Sequence, residues 1–529
     1  MRSRLSLYGP PLLSGFLIGT SYIPFPPWAL LFCYVPLWLF WIREGSVRKI
    51  LCGGWLAQFL FCLVGFHWVA YTAHEFGHLS WPLSLLVLLL FCAFGHLYLV
   101  LAGLAFALLR DRLGLSRATQ LALLPCVTAL CGLYVPMIFP WNLGYPWLWA
   151  RLPAFQLAEF VGFEGLSVLT VFLNLALLLT WEHRKDRKGA YLLGSAAAFL
   201  LLINGAGGLI GKRQPPPDAA ANVLVVQGNV GNLEKTRAET GEGFREEILR
   251  RHFRLTRQGL RQAAGRAPDF VVWPETAFPG ILPYPPSNAG IPGVLVDFVR
   301  STGTALVTGA RGTDAGSGKK TNSLYFFDRN GGMADARYDK VRLLVFGEFI
   351  PFSDRFPGMK RWFPWAADYA RGPGAGIRQT GALRVGPQIC YEGLFPDFSR
   401  SLADQGAQIF VNVTNDSWFG SSVEPHQHLF MTLARGIEFR RPVVRATNTG
   451  ISAAMRADGT LLELSPLHAE WTRLYEIPYR KEPLPTFYQE YGTRFVPLAL
   501  WLAAAVLIAT GWRGRQGGAP DPAPPAGTV

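Results

Sequence analysis

The chain has 529 residues, of which 50% are hydrophobic, and its mean hydropathy is +0.21. This composition is too apolar for one ordinary soluble protein, and the length allows several domains. The net charge of +14 would suit a nucleic-acid partner, but the basic residues are dispersed and no base-stacking or groove-reading motif accompanies them. We therefore expect no nucleic-acid partner, and anionic phospholipid headgroups are the better counterpart of the charge.

The N-terminal part is poor in charge: residues 1–213 hold 15 Lys and Arg and 7 Asp and Glu. A helix needs ~20 mainly apolar residues to cross a bilayer. The apolar runs predict eight spans: two within 5–42, separated by Pro24, Pro26 and Pro27, and six more at 50–70, 79–109, 118–140, 165–181, 189–211 and 495–512. One such run would suit a buried core helix, but eight in one chain are typical of a membrane protein.

Lys and Arg cluster in alternate loops, and this asymmetry predicts the orientation. Basic residues precede the first run, follow the eighth, and lie at 43–49, 110–117 and 184–188. By the positive-inside rule both termini are cytoplasmic. We predict a multi-pass, monomeric protein of a bacterial inner membrane. Its parts are helices one to seven in 1–211, a periplasmic domain at 212–494, helix eight at 495–512, and a disordered cytoplasmic tail at 513–529, rich in Pro, Gly and Ala.

The block between spans seven and eight alternates short apolar strand patterns with helical ones. Strands are predicted at 222–227, 269–273, 305–309, 323–328, 333–339, 383–390, 408–413 and 443–448, and helices at 234–266, 395–405 and 427–439. Short buried strands mixed with helices favour an α/β sandwich whose sheets are covered by helices. In such folds, polar residues at strand ends gather along one edge and form sites there.

Three of these strand ends carry reactive side chains. Glu275 follows VVW, Lys340 follows ARYD, and Cys390 ends VGPQI. A free thiol with a pKa of ~8.5 is a weak nucleophile until a base takes its proton. A carboxylate can act as that base, and an ammonium can stabilise the oxyanion that forms when the thiolate attacks a carbonyl. The three residues therefore suit covalent acyl chemistry.

Each residue also has a plainer interpretation. A lone cysteine is more often a small buried hydrophobic residue, Glu275 would suit a helix N-terminus, and Lys340 would suit an exposed hairpin. Cys390 is, however, the only cysteine after Cys131. In an oxidising compartment an unpaired thiol is a liability unless it is buried or used, which favours catalysis.

The motifs around these residues resemble a known family. They are WPETAFPG at 273–280, YDKVRLLVFGEFIPF at 338–352, ICYEGLFPD at 389–397, VNVTNDSWFG at 411–420 and RPVVRATNTGIS at 441–452. They are similar to the nitrilase (carbon–nitrogen hydrolase) superfamily, whose sites use a Glu-Lys-Cys triad on an αββα sandwich. Together with eight predicted spans, they resemble the apolipoprotein N-acyltransferase family over nearly the whole chain.

The resemblance implies roles for the residues that match it. Glu275 is expected to be the general base, Lys340 the oxyanion stabiliser and Cys390 the nucleophile. The resemblance also implies supporting roles for Glu348, Glu392 and Tyr391. It implies a place beside the lipid entrance for Trp418 and Phe419.

Two positions depart from the family pattern. Thr236 follows Lys235 where the family often has Trp, and Val345 replaces the usual proline of the LxPFGE segment. The first departure affects one substrate-contact aromatic residue and the second a loop conformation, while the three strand-end residues are unchanged.

The resemblance implies transfer of a fatty acyl chain from a phospholipid, through a cysteine thioester, to the N-terminal amine of a diacylglyceryl-cysteine apolipoprotein. It names phosphatidylethanolamine as the donor and a diacylated apolipoprotein as the acceptor. Two alternatives stay open: a membrane-tethered nitrilase-like amidase that uses water, and a non-catalytic lipid or lipoprotein transporter. No Cys/His cluster has metal-ligand spacing and no glycine-rich phosphate loop follows a strand, so we expect neither a cofactor nor a metal.

Overall fold

The computed structural model describes residues 4–232, 234–235, 241–263, 265–361 and 366–517. Thr236 and the part of the predicted tail at 518–529 lie outside these described residues. Within them, the chain forms a helical N-terminal region, a two-sheet region, and a final long helix.

Ten α-helices precede the first strand in the described part of the chain. They are α1 (Arg4–Gly19), α2 (Val35–Arg43), α3 (Val47–Gly65), α4 (Trp68–Glu75), α5 (Trp81–Phe94), α6 (Tyr98–Leu113), α7 (Arg117–Tyr134), α8 (Tyr145–Trp149), α9 (Ala158–Glu182) and α10 (Arg187–Lys212). Apolar runs form helices here because a helix satisfies its own backbone hydrogen bonds, whichever residues surround it.

Five helical segments of the described chain are long and apolar enough to cross a membrane. They are Val47–Gly65, Trp81–Leu113, Pro153–Glu182, Arg187–Lys212 and Tyr488–Gly511. The count of eight spans therefore stays a prediction. The run at 79–109 is broken near Gly95 into α5 and α6, and the run at 5–42 yields α1 and the nine-residue α2 with turns around its prolines.

The second region holds eleven strands and four helices among the described residues. The strands are β1 (Ala219–Gln227), β2 (Phe270–Val272), β3 (Ala305–Thr313), β4 (Lys320–Phe327), β5 (Tyr338–Asp339), β6 (Arg378–Thr380), β7 (Leu383–Ile389), β8 (Ile409–Thr414), β9 (Val443–Thr447), β10 (Ala453–Met455) and β11 (Trp471–Tyr479). The helices are α11 (Glu242–Gln262), α12 (Gly290–Thr302), α13 (Pro396–Asp404) and α14 (Glu424–Phe439), and α15 (Thr493–Gly517) follows the region.

The strands form two sheets. The first has the order β11-β1-β2-β3-β4-β5 and the second the order β10-β9-β8-β7-β6. In each sheet three central strands are parallel: β1, β2 and β3 in the first, and β7, β8 and β9 in the second. The outer strands pair antiparallel, as β1 does with β11 and β3 with β4.

Apolar side chains pack on both faces of the sheets. Val223 and Val272 of the first sheet share one core cluster with Val385 and Ile409 of the second, so this core lies between the sheets. A second cluster joins the opposite face of the first sheet to α11 and α12. Side chains from α14 pack with the second sheet. The layers are therefore helix, sheet, sheet and helix, as the predicted sandwich requires.

The helical region and the sandwich meet across buried polar contacts. The Gln427 amide on α14 donates to the backbone carbonyls of Ile23 and Gly65 at 2.8 and 2.9 Å. Its side-chain oxygen accepts from Trp68 Nε1 at 3.1 Å. On the other side of the junction, Glu438 accepts from the Phe163 backbone N–H at 2.9 Å. Because buried polar groups are costly when unpaired, these bonds fix how the two regions meet.

Gly162 interrupts α9 where the helix passes the start of the last helical segment. Its φ is +66°, and a Cβ at this position would lie 2.3 Å from the ring of Tyr488. A positive φ is disfavoured for residues with a Cβ. The sequence therefore needs glycine here both for the backbone bend and for the close approach of the tyrosine ring.

We predict that Gly162→Ala lowers the free energy of unfolding by about 1–3 kcal/mol, because alanine must strain the backbone and displace Tyr488. Gly194→Ala on α10 is the matched control, since a Cβ there meets no atom within 4 Å. That control should be neutral or stabilising by ~0.5–1 kcal/mol. Thermal unfolding of the detergent-solubilised variants measures both, and equal midpoints would contradict this account of the bend.

Candidate active site

An ammonium lies between two carboxylates at the edge where the sheets end. Lys340 Nζ is 2.8 Å from Glu348 Oε2 and 3.5 Å from Glu275 Oε1. Lys340 directly follows β5, and Glu275 lies three residues after β2. Lys340 is only 2% exposed and Glu275 6%. The three charges therefore interact with little screening by water.

The two carboxylates are held by further donors. The Asn322 amide on β4 donates to Glu275 Oε1 at 2.6 Å and to Glu348 Oε1 at 2.9 Å. The backbone N–H of Asn415 donates to the other Glu275 oxygen at 2.8 Å. These bonds hold both carboxylates in one orientation relative to Lys340 Nζ.

The environment keeps Lys340 charged. Burial alone would lower its pKa, but the charges of Glu348 and Glu275 outweigh burial and raise the pKa well above its usual range. A positive charge is therefore present at this strand end across physiological pH. It can stabilise a nearby oxyanion without a proton having to move first.

Cys390 directly follows the parallel strand β7 and begins a 3₁₀ turn. Its φ is +52°, a left-handed conformation that is uncommon for a residue with a Cβ. Burial and the charge of Glu275 raise the pKa of its thiol, while Lys340 opposes that shift. The thiol is thus protonated at neutral pH and close enough to both charges to respond to them. It needs a base to become a nucleophile.

Glu392 joins the loop of the cysteine to the loop of the lysine. One carboxylate oxygen accepts from the backbone N–H of Ile389 at 2.8 Å. The other accepts from the Tyr338 hydroxyl at 2.8 Å and from the N–H of Val341 at 2.7 Å. Glu392 therefore ties the residue before Cys390, at the end of β7, to the residue after Lys340, in the loop that follows β5 of the other sheet.

Tyr391 connects the site to the helical region. Its hydroxyl donates to the backbone carbonyl of Ile138, and its ring meets Phe139 edge-on with centroids 6.1 Å apart. The predicted lipid-side aromatics also contact this region. Phe419 packs edge-on against Trp68 at 5.3 Å, and Trp418 packs against Phe76 at 4.8 Å. Both aromatic contacts involve α4 or the residue after it.

The structure brings Glu275, Lys340 and Glu348 into one charge cluster with the Cys390 thiol beside it, and places Glu392 and Tyr391 around it. The predictions of their chemical roles are not tested by this geometry. Trp418 and Phe419 lie at the junction with α4, and their predicted place beside a lipid entrance also stays a prediction.

Two polar residues of the site escaped sequence reasoning. Asn322 bridges both carboxylates, and it lies in the polar first half of β4, just before the predicted strand at 323–328. Lys235 is half-buried and donates to Thr276 Oγ1 at 3.0 Å. Burial lowers its pKa to about 8, although Glu275 opposes the shift. Sequence reasoning treated Lys235 only as the neighbour of Thr236.

One group in the described part of the chain has metal-ligand composition. It consists of the buried residues Asp416, Glu424 and His428, whose ligand atoms lie within 4.8 Å of one another. The Arg445 guanidinium is 2.9 Å from Asp416 Oδ2. Because this cation already neutralises Asp416, we interpret the group as an ion-pair network and not as a metal centre.

Two family models match this chain and define its class of protein. Residues 213–479 match the carbon-nitrogen hydrolase family model, and residues 14–176 match the model of the apolipoprotein N-acyltransferase N-terminal domain. Among solved structures, an amidase from Nesterenkonia is 17% identical with a TM-score of 0.36, over 50% of this chain and 93% of that one. A Saccharomyces cerevisiae member of branch 10 of the nitrilase superfamily is 16% identical with a TM-score of 0.37, over 50% and 92%. The sandwich is a nitrilase-like carbon–nitrogen hydrolase domain, preceded by a helical region with several apolar helices.

Relatives that match most of the chain identify its family within that class. An apolipoprotein N-acyltransferase from Bdellovibrio bacteriovorus is 44% identical over 493 residues, which cover 91% of this chain and 90% of that protein. One from Geobacter metallireducens is 31% identical and covers 85% and 84%. The chain belongs to the apolipoprotein N-acyltransferase family. This confirms the prediction of an acyltransferase, and the amidase alternative is not favoured, because the match includes the helical N-terminal domain.

The pKa of Glu392 provides a test of its buried position. Burial raises this pKa from 4.5 to about 7, against the opposing effect of its backbone donors. The folded state therefore holds this proton more tightly than the unfolded state. The associated stability is complete below pH ~4.5 and is lost as the pH rises through about 7.

In Glu392→Gln this titration is absent. We predict that the stability of the wild type relative to this variant falls by about 3 kcal/mol between pH 4 and pH 8. Unfolding midpoints of both proteins across that range measure the effect. A difference that does not change with pH would contradict the proposed environment of Glu392.

Proposed function

We propose that this protein is a phospholipid:apolipoprotein N-acyltransferase that works through a thioester on Cys390. The observation that carries the proposal is the placement of this thiol beside the buried Glu275–Lys340–Glu348 cluster, in a chain of the apolipoprotein N-acyltransferase family. A base, a cation and a protonated thiol within electrostatic reach are the groups that two-step acyl transfer needs.

In the first step Glu275 takes the proton of the Cys390 thiol, and the thiolate attacks the ester carbonyl of a phospholipid. Lys340 and nearby backbone N–H groups stabilise the oxyanion of the tetrahedral intermediate. The intermediate collapses with cleavage of the ester C–O bond. The lysophospholipid alkoxide leaves with the proton that Glu275 held, and the acyl chain stays on sulfur as a thioester.

In the second step the α-amino group of a diacylglyceryl-cysteine attacks the thioester carbonyl. Glu275 takes one proton from the attacking amine, an amide bond forms, and the C–S bond breaks. The Cys390 thiolate then receives the proton from Glu275, which restores both groups. The product is a triacylated lipoprotein, and we propose phosphatidylethanolamine as the acyl donor of the first step.

The supporting residues act on the three reacting groups. Glu348 fixes the Lys340 ammonium, to which it is the nearest carboxylate. Glu392 holds the two loops in register. Tyr391 anchors the nucleophile loop to the helical region. Trp418 and Phe419 line the access of the lipid chains at α4, where their rings meet aromatic residues.

We further propose that the chain crosses a bacterial inner membrane eight times, seven times before the sandwich and once after it. The basic loops support cytoplasmic termini and a periplasmic sandwich, with domain limits at 1–211, 212–494, 495–512 and 513–529. Exposed leucines on the apolar helices, such as Leu86 on α5 and Leu201 on α10, support contact with lipid. Both substrates carry acyl chains, so a monomer in the bilayer can reach them by lateral diffusion.

The assignment of Cys390 as the nucleophile predicts that its sulfur becomes acylated. After incubation with phospholipid and no acceptor, the intact mass of the wild type should rise by one acyl group, and hydroxylamine should remove it. Cys390→Ala should show no such adduct, since no thiolate can form. Cys131→Ala is the control and should be acylated like the wild type. An undiminished hydroxylamine-sensitive adduct in Cys390→Ala would refute the assignment.

Adding a diacylated lipopeptide to the isolated acyl-enzyme tests the acceptor. The adduct should disappear as the N-acylated lipopeptide forms in equal amount. Release of free fatty acid in place of the amide would favour the hydrolytic alternative.

The role of Lys340 makes a kinetic prediction. Lys340→Ala should slow acylation of Cys390 by ~10²–10³-fold, because an oxyanion donor is lost. Lys319→Ala is the matched control, since Lys319 pairs with Asp368 at 3.1 Å on the surface. Single-turnover acylation followed by mass spectrometry measures both. Acylation of Lys340→Ala at the control rate would reject the oxyanion role.

A further inference from the structure

The backbone of Cys390 needs support that the acid–base cluster does not supply. Its φ of +52° is sparsely populated by residues with a Cβ. Such conformations persist only when surrounding contacts hold them. The position of the sulfur depends on contacts to two atoms of Cys390. Contacts to the backbone carbonyl oxygen hold the turn, and contacts to the sulfur orient the side chain.

Each of these atoms is contacted by one residue of β8. Asn412 Nδ2 donates to the Cys390 carbonyl at 3.2 Å. The Thr414 side chain lies close enough to the Cys390 thiol to lower the pKa of that thiol. Both residues are fully buried, with 0% exposure. The conformation of the nucleophile therefore depends on how the amide of Asn412 and the hydroxyl of Thr414 are oriented.

Arg445 on β9 sets both orientations. It is 0% exposed, and its Nη1 donates to Asn412 Oδ1 at 2.6 Å. A guanidinium can only donate, so it fixes the oxygen of the Asn412 amide toward itself. The Asn412 NH₂ group must then face the opposite way, toward the Cys390 carbonyl.

The second group that Arg445 contacts is the Asp416 carboxylate, which in turn bonds Thr414. Arg445 Nη2 donates to Asp416 Oδ2 at 2.9 Å, and the Thr414 hydroxyl donates to Asp416 Oδ1 at 3.0 Å. The hydroxyl that Asp416 holds in this way lies beside the Cys390 sulfur, where its interaction lowers the pKa of the thiol. Burial raises the pKa of Asp416, but Arg445 and His428 outweigh burial and lower it, which keeps the carboxylate ionised as an acceptor.

We propose that Arg445 is a positioning residue for the nucleophile: through Asn412 and through Asp416–Thr414 it holds the carbonyl and the sulfur of Cys390 in the reactive geometry. This inference rests on the proposed role of Cys390. In this inference Arg445 acts on Cys390 through Asn412, Asp416 and Thr414. A lysine cannot replace it, because one ammonium lacks the planar fork that reaches Asn412 and Asp416 in fixed directions.

Arg441 offers a matched control four residues away. It is 1% exposed and donates to the backbone carbonyls of Ala407, Phe439 and Leu484. None of these is a residue that holds Cys390. Arg441→Lys and Arg445→Lys therefore make the same chemical change at two buried sites, and only the second disturbs the nucleophile.

We expect Arg445→Lys to acylate Cys390 about 100-fold more slowly than the wild type per folded molecule, since misplacement by ~1 Å costs this much. The effect should lie in kcat, with KM for phospholipid nearly unchanged, because lipid binding is retained. Arg441→Lys should acylate at the wild-type rate per folded molecule, whatever its unfolding midpoint. Equal acylation rates in the two lysine variants would overturn the proposal and leave Arg445 a purely structural residue.

Two variants of Thr414 provide a second test, which does not depend on the folding of Arg445→Lys. Thr414→Ser keeps the hydroxyl and should acylate within a few-fold of the wild type. Thr414→Val keeps the shape, loses the hydroxyl, and should be slowed about tenfold or more. Equal rates of the two variants would also overturn the proposal.

Alkylation of Cys390 by iodoacetamide, followed by peptide mapping, separates this inference from the proposed function. If the wild type forms no acyl adduct, the proposed function fails. The positioning role then still predicts that the alkylation rates of Arg445→Lys and Arg441→Lys differ. If they do not differ, the positioning role fails as well.

Discussion

The site depends on one buried ammonium shared by two carboxylates. Taking charged groups out of water costs several kcal/mol per ion unless they are paired and hydrogen-bonded. Here Lys340 pairs with Glu348 and Glu275, and Asn322 donates to both carboxylates. Removing any one of these groups would leave another buried and unpaired. The cluster therefore acts as a unit, and the loops that carry its members must be held in register.

Contacts between the two sheets hold the loops of the site in register. Glu275 and Lys340 come from the first sheet and Cys390 from the second. Glu392 bonds the backbone beside Lys340 and the backbone before Cys390, so the two sheet edges cannot move apart without breaking buried hydrogen bonds. On the other side of the nucleophile, Arg445 connects β9 to β8. Two hydrogen-bonded networks thus contact the segment of the nucleophile, one through Glu392 and one through Arg445 and Asn412.

The helical region contributes to this rigidity as well as to membrane location. Gln427 bonds two backbone carbonyls of the helical region, and Tyr391 bonds a third. These contacts place the residue after the nucleophile against the loop at Ile138. In the proposed function this junction is where acyl chains leave the bilayer for the thiol. A site built at such a junction can exclude water while it accepts lipid.

Much of the sandwich could be predicted from local pattern, because buried parallel strands are continuous apolar runs. The strand β11 was missed because buried and exposed residues mix along it, as is typical of an edge strand. The predicted strand at 333–339 is paired regularly only at Tyr338–Asp339. Its earlier residues form a turn, with Met333 bridging to Phe327. A turn signal indicates a reversal but does not determine how many residues pair after it.

The sequence by itself determined the apolar runs, the strand ends that carry Glu275, Lys340 and Cys390, and the motifs that led to the family. These are local properties, because a side chain's identity and its position after a strand do not depend on distant residues. Tertiary structure alone decided that Asn322 bridges the carboxylates, that Lys235 bonds Thr276, and that Arg445 bonds Asn412, which contacts Cys390. Those residues are separated from their partners by tens of residues or more, and hydrogen bonding between them depends on the order of the strands within each sheet.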